Sequence, residues 1–217
     1  MPSSASVPVA ERPLLRGWSH VGAFLVAIPA GVVLVVQADH AMARVAAGIY
    51  ALTVLVGFGT SAAYHRLARS PRAGAIMQRL DHSAIYLLIA GTYVPACLVA
   101  LPPRWGVPLL CFVGAGAVTG VVLKLAAFHR VRWLSDGLYP VLGWAAVAVF
   151  PVLVDSVSTT VLVLLFAGGV AYTVGFPVLL AKRPDPWPRV FGYHEVWHAF
   201  TVVAAVLHFA AVASVVT

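Results

Sequence analysis

"GWSHVGAFLVAIPAGVVLVVQ", residues 17–37, runs for 21 residues without an Asp, Glu, Lys or Arg. A helix rises 1.5 Å per residue, so about 20 such residues cross a hydrocarbon core of ~30 Å. Arg12 and Arg16 precede the run and Ala41-Met42-Ala43 follows it, which also fits the outline of a cleaved export signal. The run is long for the apolar region of a signal, and cleavage would leave the helices downstream unchanged, so it is read as a first membrane span.

Six more runs of that kind follow, at roughly 45–65, 82–101, 107–128, 137–154, 158–181 and 193–216. Composition points the same way: 61% of residues are hydrophobic and 10% charged, where a soluble domain averages about 25% charged. The expected fold is an all-α membrane protein, a seven-transmembrane helix bundle. Residues 1–16 are expected to form a mobile N-terminal tail and 17–217 a single domain, since the connections are too short for a soluble appendage.

The net charge of +7 would suggest nucleic acid as a partner of a soluble protein, but here the placement of charge decides. Of the 14 Lys and Arg residues, twelve fall on one side of the seven-span alternation: Arg12, Arg16, Arg66, Arg69, Arg72, Arg79, Lys124, Arg130, Arg132, Lys182, Arg183 and Arg189. Arg44 and Arg104 fall on the other. The positive-inside rule then puts the N-terminus in the cytoplasm and the C-terminus outside, in a multi-pass protein of the plasma membrane. Membrane lipids are the expected partners, and no nucleic acid is. Cys97 and Cys111, at the outer ends of the third and fourth spans, read as buried thiols rather than a metal pair.

Ionisable groups in or beside a span are costly, so each calls for a partner or a task. Three stretches gather them. In "SAAYH", Ser61 and His65 lie four apart near the end of the second span and share a helix face. In "RLDHSAIYLLIAGTYVP", Asp81 and His82 open the third span, where an aspartate ordinarily caps a helix. In "GYHEVWHAF", His194 and His198 open the seventh span one turn apart. Taken singly each has a bland explanation: a hydroxyl bonded to its own helix, a cap, a histidine at a wet helix end. The alternation of spans, however, brings all of them to one membrane depth. Three imidazoles suit zinc, which takes nitrogen ligands and keeps one position open when it is catalytic. His65, His194 and His198 are the candidate metal ligands, with Asp81 the candidate acid–base group and Ser61 its neighbour. Whether Asp81 binds the metal directly stays open.

His194, Glu195 and His198 also spell the H-E-x-x-H of zinc proteases. That motif needs a third ligand downstream, and His208, ten residues past His198, lies about 15 Å further along an unbroken helix. Asp136-Gly137 precedes the pair, the reverse of the order in intramembrane metalloproteases. A haem clasped between histidines needs facing helices, which one helix does not supply. Glu195 is left without a role, and His20, His82 and His129 default to interfacial positions.

"SAAYH" at 61–65, "RLDHSAIYLLIAGTYVP" at 79–95, "GVVLK" at 120–124 and "FGYHEVWHAF" at 191–200 together resemble the bacterial hemolysin III family, relatives of the progestin and adipoQ receptors. The likeness covers nearly the whole chain beyond the tail. It implies zinc held by His65, His194 and His198, with Asp81 touching it through water, Ser61 nearby and His208 not a ligand. The wider superfamily includes alkaline ceramidases, which implies one function: zinc activates a water, Asp81 takes its proton, and Ser61 or the zinc steadies the oxyanion as a lipid amide or ester is hydrolysed. A non-enzymatic sensor or regulator of membrane lipid state, with structural zinc, is the alternative. A pore-forming hemolysin is a third, although no span carries a polar stripe along its length.

Overall fold

The computed structural model describes residues 13–217. Seven helices long and apolar enough to span a membrane follow one another: α1 Trp18–Gln37, α2 Ala41–Leu67, α3 Pro71–Ala100, α4 Pro103–Ala126, α5 Arg132–Ser156, α6 Thr159–Ala181 and α7 Tyr193–Val216. Among the described residues the only other pairing is a single bridge between Trp187 and Phe191. The seven-helix, all-α expectation is met. Outward faces carry large apolar side chains such as Leu25, Phe166 and Val206, each more than half exposed, as a hydrocarbon surround demands.

Helix ends follow local signals rather than the edges of apolar runs. Ser70 accepts a hydrogen bond from the Ala73 N–H at 3.2 Å and Pro71 takes the first helical position, so α3 begins eleven residues before the apolar run at 82. Asp81 and His82 therefore do not open this helix; they lie within it, about three turns from its start. An apolar-run count cannot see turns that carry Arg72, Gln78 and Arg79.

The fifth span is broken. Its α-helix stops at Gly143, a 3₁₀ stretch covers Ala145–Val149, and α-helix resumes at Phe150. Pro140 and Pro151 each lack the N–H that an unbroken ladder needs. Tyr93 on α3 repairs the gap: its hydroxyl lies 2.9 Å from the Leu142 carbonyl and 3.0 Å from that of Gly143, and accepts from the Ala146 N–H at 3.1 Å. Backbone groups at this depth have no water to turn to.

Two larger apolar clusters divide the bundle, and a smaller third, Tyr86, Ala117 and Leu142, joins α3, α4 and α5. Leu34, Tyr50, Val54, Phe58 and Val212 join α1, α2 and α7. Tyr93, Cys97, Leu109, Val113, Val149 and Leu153 join α3, α4 and α5. Close approach welds the two where α2 meets α3: a Cβ on Gly91 would sit 2.0 Å from the Thr53 hydroxyl. Cys97 is buried as expected, whereas Cys111 is exposed on the outer face of α4; both are free thiols. Of the expected 1–16 tail, residues 1–12 lie outside the described residues. Leu14 and Leu15 donate backbone hydrogen bonds, both at 3.0 Å, to the carbonyls of Arg189 and Val190, laying residues 13–17 against the segment that leads into α7.

Candidate metal centre

α1 begins, α2 ends and α7 begins at the same end of the bundle, and their histidines meet there. His65 lies two residues before the end of α2; His194 and His198 occupy the first two turns of α7. Their three ring centroids form a nearly equilateral triangle with sides of 4.8, 4.9 and 4.6 Å. One ligand atom from each lies within 4.8 Å of the other two. His65 Nε2 and His194 Nε2 are 3.2 Å apart; two nitrogens on a tetrahedral zinc at 2.0–2.1 Å stand about 3.3 Å apart. A hydrogen bond could join that pair of rings but leaves the third imidazole over. His198 is 2% exposed, and its Nδ1 is buried with no hydrogen-bond partner among the described residues. The donor set therefore fits a divalent metal of the zinc type, bound by His65, His194 and His198 with a position to spare.

Ser61 lies beside the triangle and Asp81 lies beside Ser61. Asp81 stands outside the group of three possible ligands, and its carboxyl lies within hydrogen-bonding reach of the Ser61 hydroxyl. Ser61 is 4% exposed and one helical turn before His65. The three expected histidines thus come together, with Ser61 one turn from His65 and Asp81 beside Ser61, while His208 hydrogen-bonds the Leu165 carbonyl at 3.1 Å and lies outside the group.

Glu195 has a role that the sequence did not reveal. It is 2% exposed: one carboxylate oxygen accepts the Gly192 N–H at 2.8 Å, capping α7, and the other meets Arg16 Nε at 2.8 Å. A buried carboxylate with that cap and that guanidinium is spent on holding the first turn of α7, and with it His194, to the segment before α1. Gly17 completes the closure. Its φ of +78° is the left-handed conformation that glycine adopts without strain, and a Cβ there would fall 2.6 Å from the His65 Cβ.

His20 is the largest omission. It sits in the first turn of α1, 6% exposed, and its ring lies flat on His198 with centroids 3.7 Å apart and planes at 11°. Its Nδ1 is 2.8 Å from Ser61 Oγ and its Nε2 2.9 Å from Thr201 Oγ1. The signal was available: the alternation that levels His65 with His194 levels the start of α1 with them too.

A second polar cluster lies between α3, α4 and α5. Lys124, read from sequence as a charge near a connection, is fully buried, with its ammonium 2.5 Å from Asp136 Oδ1 and close over the rings of Phe128 and Tyr139. Arg132 reaches the other Asp136 oxygen at 3.3 Å. Tyr139 donates to the His82 carbonyl at 2.9 Å, and Tyr86 to that of Ser135. His82 packs against Phe128, and His129 is exposed.

The family model described as Haemolysin-III related matches residues 9–209. The chain is 31% identical over 192 residues to Hemolysin-3 of Bacillus cereus, covering 87% of this chain and 84% of that one. It is 33% identical over 181 residues to the Hemolysin-3 homolog of Bacillus subtilis (strain 168), covering 82% of each. To the Heptahelical transmembrane protein ADIPOR2 of Oryza sativa subsp. japonica it is 26% identical over 189 residues, 80% of this chain and 82% of that one. With the model spanning nearly all of the chain and both bacterial relatives above 30%, this multi-pass protein of the plasma membrane belongs to the haemolysin-III-related family.

Proposed function

We propose that the protein is a zinc-dependent hydrolase of lipid amide or ester bonds, with its site at the cytoplasmic end of the bundle. The observation that carries this is the donor set: His65, His194 and His198 offer three nitrogens, and Ser61, one turn before His65, has the Asp81 carboxyl beside it and outside the ligand group. Structural zinc sites close with four protein ligands, whereas catalytic ones keep three and an open position. When bound, zinc supplies Lewis-acid polarisation of a carbonyl and a nucleophilic oxygen near neutral pH. Asp81 takes a proton from the attacking water and returns it to the leaving group. Ser61 stands beside the Asp81 carboxyl and accepts its hydrogen once that proton has been taken up. Arg16, Glu195 and Gly17 pack against this end of the bundle, and a lipid substrate would enter from the bilayer.

The cytoplasmic assignment rests on the distribution of Lys and Arg, twelve of which fall on that side of the alternation. A non-enzymatic lipid sensor with structural zinc is the second reading, favoured by the way the ligands join α2 to α7 and so would clamp two helices. The name Hemolysin-3 belongs to a relative, and a pore is disfavoured here because the buried polar clusters gather toward one end of the bundle.

Metal analysis and lipid turnover on purified protein test the proposal. One zinc per chain, with Asp81→Ala keeping the zinc and losing hydrolysis, supports catalysis. Absence of zinc from metal-replete preparations, or its retention after His194 and His198 are both changed to Ala, removes the site. Stoichiometric zinc without hydrolysis of any lipid class, together with unfolding on zinc removal, establishes the clamp instead.

A further inference from the structure

The hydrolytic chemistry proposed above gives His20 no task, yet this side chain touches more of the site than Asp81 does. Its ring stacks on one ligand, His198, and is boxed on another side by the edge of Phe58, with centroids 5.0 Å apart. Its two nitrogens reach α2 and α7 through Ser61 and Thr201.

The direction of each bond follows from proton counting. The Thr201 hydroxyl donates to the His198 carbonyl at 2.8 Å. A hydroxyl has one proton, so toward His20 Nε2 it is an acceptor, and Nε2 carries the hydrogen. In a neutral imidazole Nδ1 is then a bare lone pair, and the Ser61 hydroxyl donates to it. The serine proton points at α1 and its lone pairs are left for the side where Asp81 lies. A hydroxyl held this way accepts hydrogen bonds in the site and cannot donate one to an oxyanion.

We propose that His20 is a positioning residue for the metal centre: its stacked ring sets the orientation of the ligand His198, and its Nδ1 turns the Ser61 hydroxyl away from the metal position, so that Ser61 accepts hydrogen bonds there from water, and from Asp81 once that carboxyl has taken up a proton. The second half rests on the hydrolase proposal; the first half needs only that the triangle binds metal.

Three substitutions separate the two halves: His20→Phe keeps a flat ring on His198 without nitrogens, His20→Asn keeps an acceptor near Ser61 without a ring, and His20→Ala keeps neither. Zinc affinity is measured by chelator competition on detergent-purified protein, with helicity and gel filtration confirming folding. Loss of an outer partner of a ligating histidine costs about 10–100-fold in metal affinity, so His20→Ala and His20→Asn are expected to lose that much and His20→Phe no more than about threefold. In lipid turnover at saturating zinc, His20→Phe is expected to lower kcat at unchanged KM. Adding Ser61→Ala to His20→Phe is expected to cost nothing further, because the pair acts as one unit.

Wild-type zinc affinity in His20→Ala, or an equal loss in His20→Phe and His20→Ala, overturns the stacking role. Additive effects of His20→Phe and Ser61→Ala overturn the acceptor role. If the wild type holds zinc and hydrolyses nothing, the hydrolase proposal falls with the acceptor role, and the zinc-affinity comparison still decides whether His20 positions His198.

Discussion

The bundle buries two polar clusters near the same end, and they are built on opposite principles. Between α3, α4 and α5, Lys124 and Asp136 neutralise each other, with Arg132 on the second carboxylate oxygen. Between α1, α2 and α7, four imidazoles crowd together, and the buried carboxylate of Glu195 is already engaged by Arg16 and by the first turn of α7. An ion pair is complete as it stands. Three imidazoles whose nitrogens converge could hold a cation among them. The first cluster is thus a device of the fold, and the second is the candidate receptor for a metal ion.

The largest effect expected from breaking this contrast is on the self-contained side. Asp136→Ala strands a fully buried ammonium and is expected to cost about 3–5 kcal/mol of stability, seen as a lowered thermal midpoint in detergent. Replacing both partners, Lys124→Met with Asp136→Leu, is expected to recover most of that loss, because a matched apolar pair leaves no charge unpaired. Equal destabilisation by the single and double variants would mean that something other than the pair holds α4 to α5.

Next in size is a chelator experiment that only the histidine cluster should feel. Zinc at a hundred times its dissociation constant stabilises a folded state by about 2.7 kcal/mol. A strong chelator should remove that increment from the wild type and from Asp136→Ala alike, and change nothing in the variant with His194→Ala and His198→Ala. Loss of chelator sensitivity in Asp136→Ala would show that the two clusters are coupled.

How legible each cluster was depends on whether its chemistry shows in local spacing. The seven spans could be read because hydrocarbon tolerates so few charges, and His65, His194 and His198 because alternation alone levels them. Asp81 was expected at a helix start and lies inside the helix instead, since the cap that sets the start, Ser70, lies in a polar stretch outside the apolar run. His20 looked like one more histidine at a wet edge; only its contacts with Ser61, Thr201 and His198 give it meaning. Lys124 and Asp136 lie twelve residues apart across a turn; Lys124 counted only in the charge alternation and Asp136 only as part of a discarded protease motif, and nothing in their spacing reports that one is sealed from solvent. The break in α5 is tolerable because of Tyr93, about fifty residues away, a dependence that no window along the chain contains.

A smaller effect is expected from Gly17→Ala, which couples the backbone to the receptor cluster. An L-residue at φ of +78° costs about 1–2 kcal/mol, and the added Cβ presses on the His65 Cβ 2.6 Å away. The thermal midpoint should fall modestly and zinc affinity should fall with it, since His65 can move only by leaving the triangle. A drop in stability with unchanged zinc affinity would mean that His65 is not held from this side.

The smallest effect belongs to the exposed member of the ion-pair cluster. Arg132 has 62% of its side chain exposed and meets Asp136 one turn away on the same helix, the geometry of a surface pair. Water screens such a contact, and measured pairs of that kind contribute about 0.3–0.5 kcal/mol. Arg132→Ala should therefore leave the thermal midpoint nearly unchanged where Asp136→Ala collapses it, even though both remove a bond to the same carboxylate system. The asymmetry has a single cause, the burial of Lys124: its ammonium cannot find water when its partner goes, whereas Asp136 keeps both Lys124 and some solvent when Arg132 goes. If Arg132→Ala proved as costly as Asp136→Ala, the three charges would have to be one cooperative unit and the buried pair no longer self-sufficient. Metal uptake at the histidine triangle should be indifferent to Arg132→Ala in either case.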